Sequence, residues 1–439
     1  MAPDCGQDSG LAQIVYWNAT GEGWSSSDGV QIKYSTNGVT WQTVANVGQS
    51  GASLSSYEWY RPTDSYGPSG CWIRVSSVQD ASVADKAYLP PPAGRTLYYV
   101  NDTSTNGDVF CTAAGLDTND GRTPGTPMAS LAALLARYTL GPTNTVCVDA
   151  GTYRSTSNIV VESRHGGSWN KHAQLVGAGG YKTVLDRAAG SATNAYCMLS
   201  EASYLDISGF VFTGGYVGLC VNAGVSSQAA VTDNIFKGNT KAGLGVYSDS
   251  TYSYGTFSIQ RNLFFDTGDC LWLEGDITQP TGDYFEIRNN TAVATNGCHA
   301  LTVSGRLYEA SVYDNIFVAD GGTCYRVTEG GNIFYPERND LWTTNGGCVA
   351  RLALNGEEVY LSSLADWQRV TTSQFGYTRD TLSFSRDPAF ASPANGDYHL
   401  KSLGGRWAPG TGTSGQWTVD MDAHSPCIDA GDPYSYSDR

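Results

Sequence analysis

The chain has 439 residues, with 42 acidic against 26 basic side chains and a formal charge of −16, and only 15% of its residues are charged. That length exceeds one ordinary compact core and calls for several domains or one elongated one. The charge leaves no basic stripe to neutralise phosphates, which excludes nucleic acid as a partner. No apolar run of about 18 residues is present, so no segment is expected to span a membrane.

Eleven cysteines occur without a single Cys-x-x-Cys pair, which argues against a structural zinc site or thioredoxin-type chemistry. Abundant glycine and tyrosine with little lysine and glutamate fit an all-β extracellular or cell-surface protein. The opening "MAPDCGQDSG" lacks the basic-then-apolar pattern of a secretion signal, so either a mature or trimmed form is expected or the chain is not exported.

From residue 11 to 89 the chain reads as short alternating strands. "QIVYW", "GVQIKYSTNGVTWQTVA", "SSYEWY" and "CWIRVSS" are separated by turn residues, and Asn37-Gly38 carries a hairpin signal. Several strands in about 80 residues predict a sandwich. "KYSTNGVTWQTVA" followed by "CWIRVSSVQDASVAD" resembles the immunoglobulin-like modules of bacterial surface proteins. A stiff linker, "YLPPPAGR", then closes a first domain spanning 1–94.

A second domain is expected over 95–385. It opens with a Tyr-Val strand, a long Asp/Asn/Gly loop, a helix in "MASLAALLARY" and a strand before "DAGTYR". This order resembles the entry to a right-handed parallel β-helix of the pectate-lyase-like superfamily, in which the helix covers the open end. Asn-apolar-Phe pieces then recur, placing Asn234, Asn262, Asn289, Asn315 and Asn339 in one column. Each is followed by a second short strand: "GLGVY", "CLWLE", "ALTVS", "CYRVT" and "VARLA". A repeat of that length predicts a solenoid. The asparagines are expected to tolerate a left-handed turn and to stack as an amide ladder. Roughly eleven coils would make a rod on the order of 50 Å long.

Cys220, Cys270, Cys298, Cys324 and Cys348 recur near the coil period and predict a buried stack of small side chains. The triplets at Asn18, Asn101 and Asn289 fit the glycosylation pattern. The remaining segment, 386–439, carries "RDPAFASPANGDYHLKS" and "SPCIDAGDP". It resembles the closing segment of bacterial β-helix surface proteins and is expected to cap the C-terminal end of the rod.

The candidate chemistry lies on successive second strands. Asp269, then His299, then Arg326 would line up along the rod as catalytic residues, with Glu274 a further candidate beside them. Their order resembles polygalacturonases, with departures: "GDC" offers one aspartate of the usual set, and Val-Thr follows Arg326 where that family has a lysine. β-Elimination is the other catalytic option, with Lys237, Lys241, Arg261, Arg288 or Arg306 as base, and Asp266, Asp269, Glu274 and Asp276 as cation ligands. The plain alternative is a set of solvated turn charges. Asp102, Asp108, Asp117, Asn119 and Asp120 offer hard oxygens in a Gly-rich loop, a donor set suited to Ca²⁺; no organic cofactor is indicated. "RHGGSWNKH" (164–172) bunches cationic groups that would touch an anionic sugar. Trp272, Tyr325, Trp342 and the Tyr-rich 248–255 stretch are expected to face outward, for sugar rings or protein partners.

Two functions follow. In one, an extracellular protein binds or cleaves polysaccharide, a cell-surface glycan or other anionic glycan, along the solenoid. In the other, a non-catalytic structural or adhesive subunit pairs with copies of itself in a filament or surface layer.

Overall fold

The computed structural model describes residues 4–5, 12–19, 28–35, 39–49, 54–60, 71–89, 96–188, 192–223, 228–248, 256–276, 284–328, 334–354, 356–408 and 416–431. The Asn37-Gly38 turn, most of the 88–95 linker and nearly all of the Tyr-rich 248–255 stretch lie outside them.

The first seven strands form two antiparallel sheets. One joins Asp4–Cys5, Ala12–Asn18 and Leu54–Tyr60; the other joins Gln42–Gln49, Asp28–Ser35, Cys71–Ser77 and Ala84–Leu89. Val15 and Trp17 of one sheet pack with Val30, Ile32, Ile73 and Val75 of the other in a shared core. Alternation of apolar and polar residues along each strand turns one face of each sheet inward.

The rest is a parallel β-solenoid. Three sheets run along it, and each coil contributes one short strand to each. In the order the chain meets them within a coil, the first sheet ends with Phe334–Glu337, the second with Asp340–Thr344 and the third with Cys348–Leu354, against which Glu357–Leu361 folds back antiparallel as a terminal hairpin. The second sheet has eight strands, from Gly151–Arg154 to Asp340–Thr344. Eight coils is fewer than the eleven expected, because the 101–144 loop and everything beyond Leu361 lie outside the winding. One continuous apolar core runs from Tyr98 to Trp367. Within it Phe212, Phe236 and Phe264 stack coil over coil at 5.1 and 4.7 Å between centroids.

The asparagine column is real, but one member differs from expectation. Asn290, not Asn289, is buried in it. The side-chain amide of Asn234 donates to Asn262 Oδ1 at 3.2 Å, and the links Asn262–Asn290, Asn290–Asn315 and Asn315–Asn339 follow at 3.0 Å each. Each Oδ1 also accepts the backbone N–H of the asparagine one coil earlier. The left-handed conformation belongs to the residue before each ladder position: Asp233, Arg261, Asn289, Asp314 and Arg338 have φ between 53° and 58°. The two duties assigned to one asparagine are thus divided between neighbours.

Two helices close the core. Helix α1 (Leu131–Arg137) buries Leu131, Leu134 and Leu135 at the start and is capped by Ser130. Helix α2 (Leu364–Phe375) covers the other end, capped by Ser363 and terminated by left-handed Gly376. Its Trp367 is fully buried, and the indole N–H donates to Asp380 Oδ2 at 2.8 Å. Asp380 Oδ1 also accepts from Asn339 Nδ2, so this carboxyl terminates the ladder.

The end of the rod is therefore covered by α2 rather than by the segment after Ser385. Residues 386–408 and 416–431 turn back along the flank instead. Asp340 accepts the Arg386 N–H and the Cys427 thiol, Phe265 packs on Tyr398 at 4.9 Å, and Tyr181 OH donates to Gly396 O. These anchors come from the last, middle and early coils. A cavity of about 270 Å³ remains between this segment and the ladder turns, lined in part by Asn289, Asp314, Arg338 and Leu400. Among the described residues no helix is long and apolar enough to cross a membrane.

Candidate functional site

The outer face of the third sheet is set apart by its chain geometry. Its strands reach seven residues, as in Ala242–Ser248 and Cys348–Leu354, whereas those of the second sheet shrink to two. The connections leaving it are also the longest between coils, for example from Glu274 to Tyr284. Long connections over a rigid scaffold are where binding residues collect.

Parallel register puts one residue of each coil on a common line. Along the outer face the line reads Leu199, Cys220, Gly245, Trp272, Thr302, Arg326 and Arg351, with Tyr360 of the terminal hairpin beside Arg351. Its first half packs into an outer cluster with Tyr196, Tyr216 and Tyr247. Gly245 has a direct role there: a Cβ on it would sit 2.9 Å from the Tyr247 ring, so the missing side chain lets that ring lie down on the sheet. Lys241 Nζ stands 3.4 Å from the Trp272 ring centroid, a cation–π contact, and Trp272 Nε1 donates to Glu274 Oε2 at 2.9 Å.

The four expected catalytic residues all lie on this face, on more than one line. The Asp269 side chain reaches the next coil, where Oδ1 accepts the His299 backbone N–H at 3.0 Å and Oδ2 accepts Thr302 Oγ1 at 2.8 Å. Asp269 is 8% exposed, so both of its oxygens are committed to holding the strand of His299. Arg326 does not continue the Asp269–His299 line; Thr323 occupies that register. Arg326 stands above Thr302 and Trp272 and pairs with Glu358 at 3.2 Å. Arg351 lies under the Tyr360 ring, 4.7 Å from its centroid.

Burial shapes the protonation of this group. It pushes the His299 imidazole down to about 4, reinforced by Arg351 and Arg326 and opposed by Asp269, so the ring is neutral near pH 7. Burial also lowers Lys241, again against the pull of Asp269. Neutral His299 can thus accept a proton on a face that also carries the cations Lys241, Arg326 and Arg351. His299 Nδ1 and Arg351 Nε are buried without a hydrogen-bond partner. Lys241, chosen as one of several possible bases, is the member of that set placed here. Arg261 pairs with Asp233 at 2.8 Å and Arg288 with Glu286 at 3.7 Å, both at or beside the first sheet, and Lys237 lies over Tyr181.

Arg351, Tyr247 and Tyr360 were missed in the sequence. Arg351 follows "CVA" where Arg326 follows "CY", a one-residue offset that register alone resolves.

The expected Ca²⁺ ligands divide. Asp117 accepts the Ala129 and Ser130 backbone N–H groups at the head of α1, Asn119 donates to Pro127 O, and Asp120 accepts from Arg122 N and Thr126 Oγ1. These are turn and cap duties. Asp108 accepts from Asn101 at 2.7 Å, Asp102 accepts from Ser104 N, and burial raises Asp108 to about 6. Among the described residues no three His, Cys, Asp or Glu side chains converge to hold an ion.

The 164–172 bunch also disperses. His165 is fully buried, Arg164 reaches Glu162 and the Leu135 carbonyl, and His172 pairs with Asp206 at 2.8 Å. Tyr325 is fully buried in the core instead of facing outward. The cysteines do not share one line. Cys220 lies on the outer line, and Cys348 shares a register with Thr323 on the line of Asp269 and His299. Asn101 is also fully buried and makes three donor contacts, which excludes it as a glycosylation acceptor.

A family model described as "Disaggregatase related" matches residues 227–431. That is a little under half of the chain, and it includes the face from Lys241 to Tyr360. No curated protein sequence matches. Among solved structures, a rhamnogalacturonan lyase is similar at 12% identity over 61% of this chain and 79% of its own, with a TM-score of 0.37. A pectate lyase from Pectobacterium carotovorum is similar at 9% identity over 82% and 93%, with a TM-score of 0.30. Neither likeness transfers a residue or a substrate to this chain.

Proposed function

We propose that the protein is an extracellular solenoid that binds or cleaves polysaccharide bearing acidic groups, along the outer face of the third sheet. The observation that carries this is the run of Arg326 and Arg351, with neutral His299 alongside, on a face that also presents Trp272. Guanidinium groups are suited to paired hydrogen bonds with a carboxylate or sulfate. The aromatic rings supply flat surface for the apolar faces of sugars. In this role Arg326 and Arg351 hold the acidic group, neutral His299 takes a proton, and Asp269 positions His299. Glu274 fixes the Trp272 ring. The family match over 227–431 spans the charged part of this face. The two N-terminal sheets fit an immunoglobulin-like accessory module.

A panel of anionic and neutral glycans tests this. Ultraviolet absorbance of an unsaturated uronide would show elimination, reducing ends without it would show hydrolysis, and binding without turnover would leave a lectin-like role. Absence of any glycan binding would defeat the proposal. A second reading, a non-catalytic subunit that assembles with its own copies, is favoured by Trp407 and Trp417. They pair across an antiparallel ribbon and are 51% and 66% exposed. Ordered polymers under the electron microscope would support it.

A further inference from the structure

The strand that ends the third sheet does not belong to a coil. Glu357–Leu361 runs antiparallel to Cys348–Leu354, with Tyr360 opposite Arg351 and Glu358 opposite Ala353. Alternation sends Val359 and Leu361 inward, where both pack on the core, and turns Glu358 and Tyr360 to the outer face. There they meet the two arginines of the outer line. Glu358 Oε1 accepts from Arg326 Nε at 3.2 Å, the Tyr360 ring lies over the Arg351 guanidinium, and Tyr360 OH donates to Glu358 Oε2 at 3.4 Å. Arg326 and Arg351 are register partners on adjacent coils, so they stand one strand spacing apart, roughly 4.8 Å. Like charges so placed repel, and the hairpin supplies an anion and a ring that offset the repulsion.

We infer that Glu358 is a specificity-determining residue, a built-in acidic competitor that holds Arg326 in the free protein and gives way to the acidic group of a ligand. This rests on the acid-binding role proposed above and adds a control on it. Glu358 takes the Nε edge of the guanidinium, an edge that a ligand carboxylate would use. The pair is open to water, with side chains 30% and 37% exposed, so the carboxylate leaves Arg326 without being stranded in the interior. Its charge also reaches His299, where it opposes the downward pull of burial and of the arginines, so it belongs to the field of the whole group. Asp269 is the contrasting acid. It is buried, and both of its oxygens hold the strand of the next coil, so it cannot yield to a ligand. One acid of this face is thus fixed and the other is displaceable. The consequence is an acidic ligand held less tightly than two unopposed arginines would hold it.

The test is equilibrium binding of the full chain to an oligogalacturonate, with an uncharged galactan oligomer of equal length for comparison. Glu358→Gln keeps the size of the side chain and removes its charge. It should bind the oligogalacturonate about fivefold more tightly than the parent, with a steeper salt dependence, and leave the galactan result unchanged. Glu358→Asp restores the charge and should return the affinity toward that of the parent. Glu357→Gln removes the same charge from an exposed position one residue earlier and should change affinity by less than about twofold. If the parent binds oligogalacturonate and Glu358→Gln binds it no more tightly, or if Glu357→Gln gains as much, the competitor role falls and the acid-binding role stands. Binding by Glu358→Gln where the parent shows none would support both. If neither parent nor variant binds oligogalacturonate, both are overturned.

Discussion

Two lines of side chains run parallel to the axis of this solenoid, and they are built on opposite rules. At the corner between the first and second sheets, five coils in succession present the same residue, Asn234, Asn262, Asn290, Asn315 and Asn339, bonded in the same way. On the outer face of the third sheet, the line Leu199, Cys220, Gly245, Trp272, Thr302, Arg326, Arg351 changes residue type at almost every step. Both lines are set by the same parallel register. Repetition serves the scaffold, because each buried amide satisfies donors and acceptors of the coils beside it. Variation marks the surface on which neighbouring coils need not agree, and there a site can be built without disturbing the winding.

The largest effect should come from breaking the repeated line at its centre. Asn290 Nδ2 donates to Ile259 O, Arg288 O and Asn315 Oδ1, and its Oδ1 accepts from Asn262. Asn290→Ala orphans several buried groups on two coils at once, a loss of about 3–5 kcal/mol. A deep fall in the melting temperature of the solenoid should be seen by calorimetry. A fall no larger than that of a surface substitution would show that the ladder is dispensable.

The end of the same line offers a test with a pH signature. Asp380 is fully buried, and burial raises its carboxyl to about 6. A carboxyl raised above its unfolded value is protonated preferentially in the folded chain. Its favourable contribution is complete below about pH 4 and is lost as pH climbs through about 6. Asp380→Asn resembles the protonated form. Its melting temperature should match the parent near pH 4 and exceed it above pH 6, by up to about 3 kcal/mol in stability. A parent-to-variant difference that stays constant with pH would refute the assignment. Asp340, raised to about 6 by burial as well, contributes a separate slope to both proteins.

The varied line should respond in function and not in stability. Arg351→Gln keeps the side chain only as far as Cδ and removes the cation under Tyr360. Affinity for an acidic glycan should drop about tenfold, with melting unchanged to within about 0.5 kcal/mol. If binding survives and the fold weakens instead, the varied line belongs to the scaffold as well.

The contrast also explains what could be read from the amino acids. The repeated line was legible because five Asn-apolar pieces at nearly constant spacing demand a stacked structure, and the alternating apolar strands agree with it. Helix α2 left a signal that was not used: Ser363 three residues before Asp366, and Gly376 at the far end, bracket an amphipathic run. The face was half legible. Asp269, Glu274, His299 and Arg326 all fall on it because each sits in the strand after its asparagine. Their mutual alignment was not, since a shift of a few residues within a strand moves a side chain to another line, and only pairing fixes that register. Lys241 stood among five equivalent cations until its packing on Trp272 distinguished it. The loop acids of 102–120 show a different limit. Acidic residues in a Gly-rich loop are equally suited to an ion and to backbone N–H groups, and here Asp117 and Asp120 serve the backbone.

The smallest effect sharpens the contrast at single-residue resolution. Asn289 and Asn290 are adjacent and identical in sequence, yet one is exposed with φ of 55° and the other is buried in the ladder. Asn289→Ala removes a side chain that tolerates the left-handed region and puts in one that does not, at a cost of about 1 kcal/mol. Asn289→Gly restores that freedom in the folded chain but loosens the unfolded one, so it should fall close to the parent. The order of melting temperatures is therefore parent and Asn289→Gly together, Asn289→Ala slightly lower, and Asn290→Ala far below. If the Asn289 and Asn290 alanine variants melted alike, the turn and ladder duties would not be divided between neighbours, and the column would have to be redrawn through Asn289.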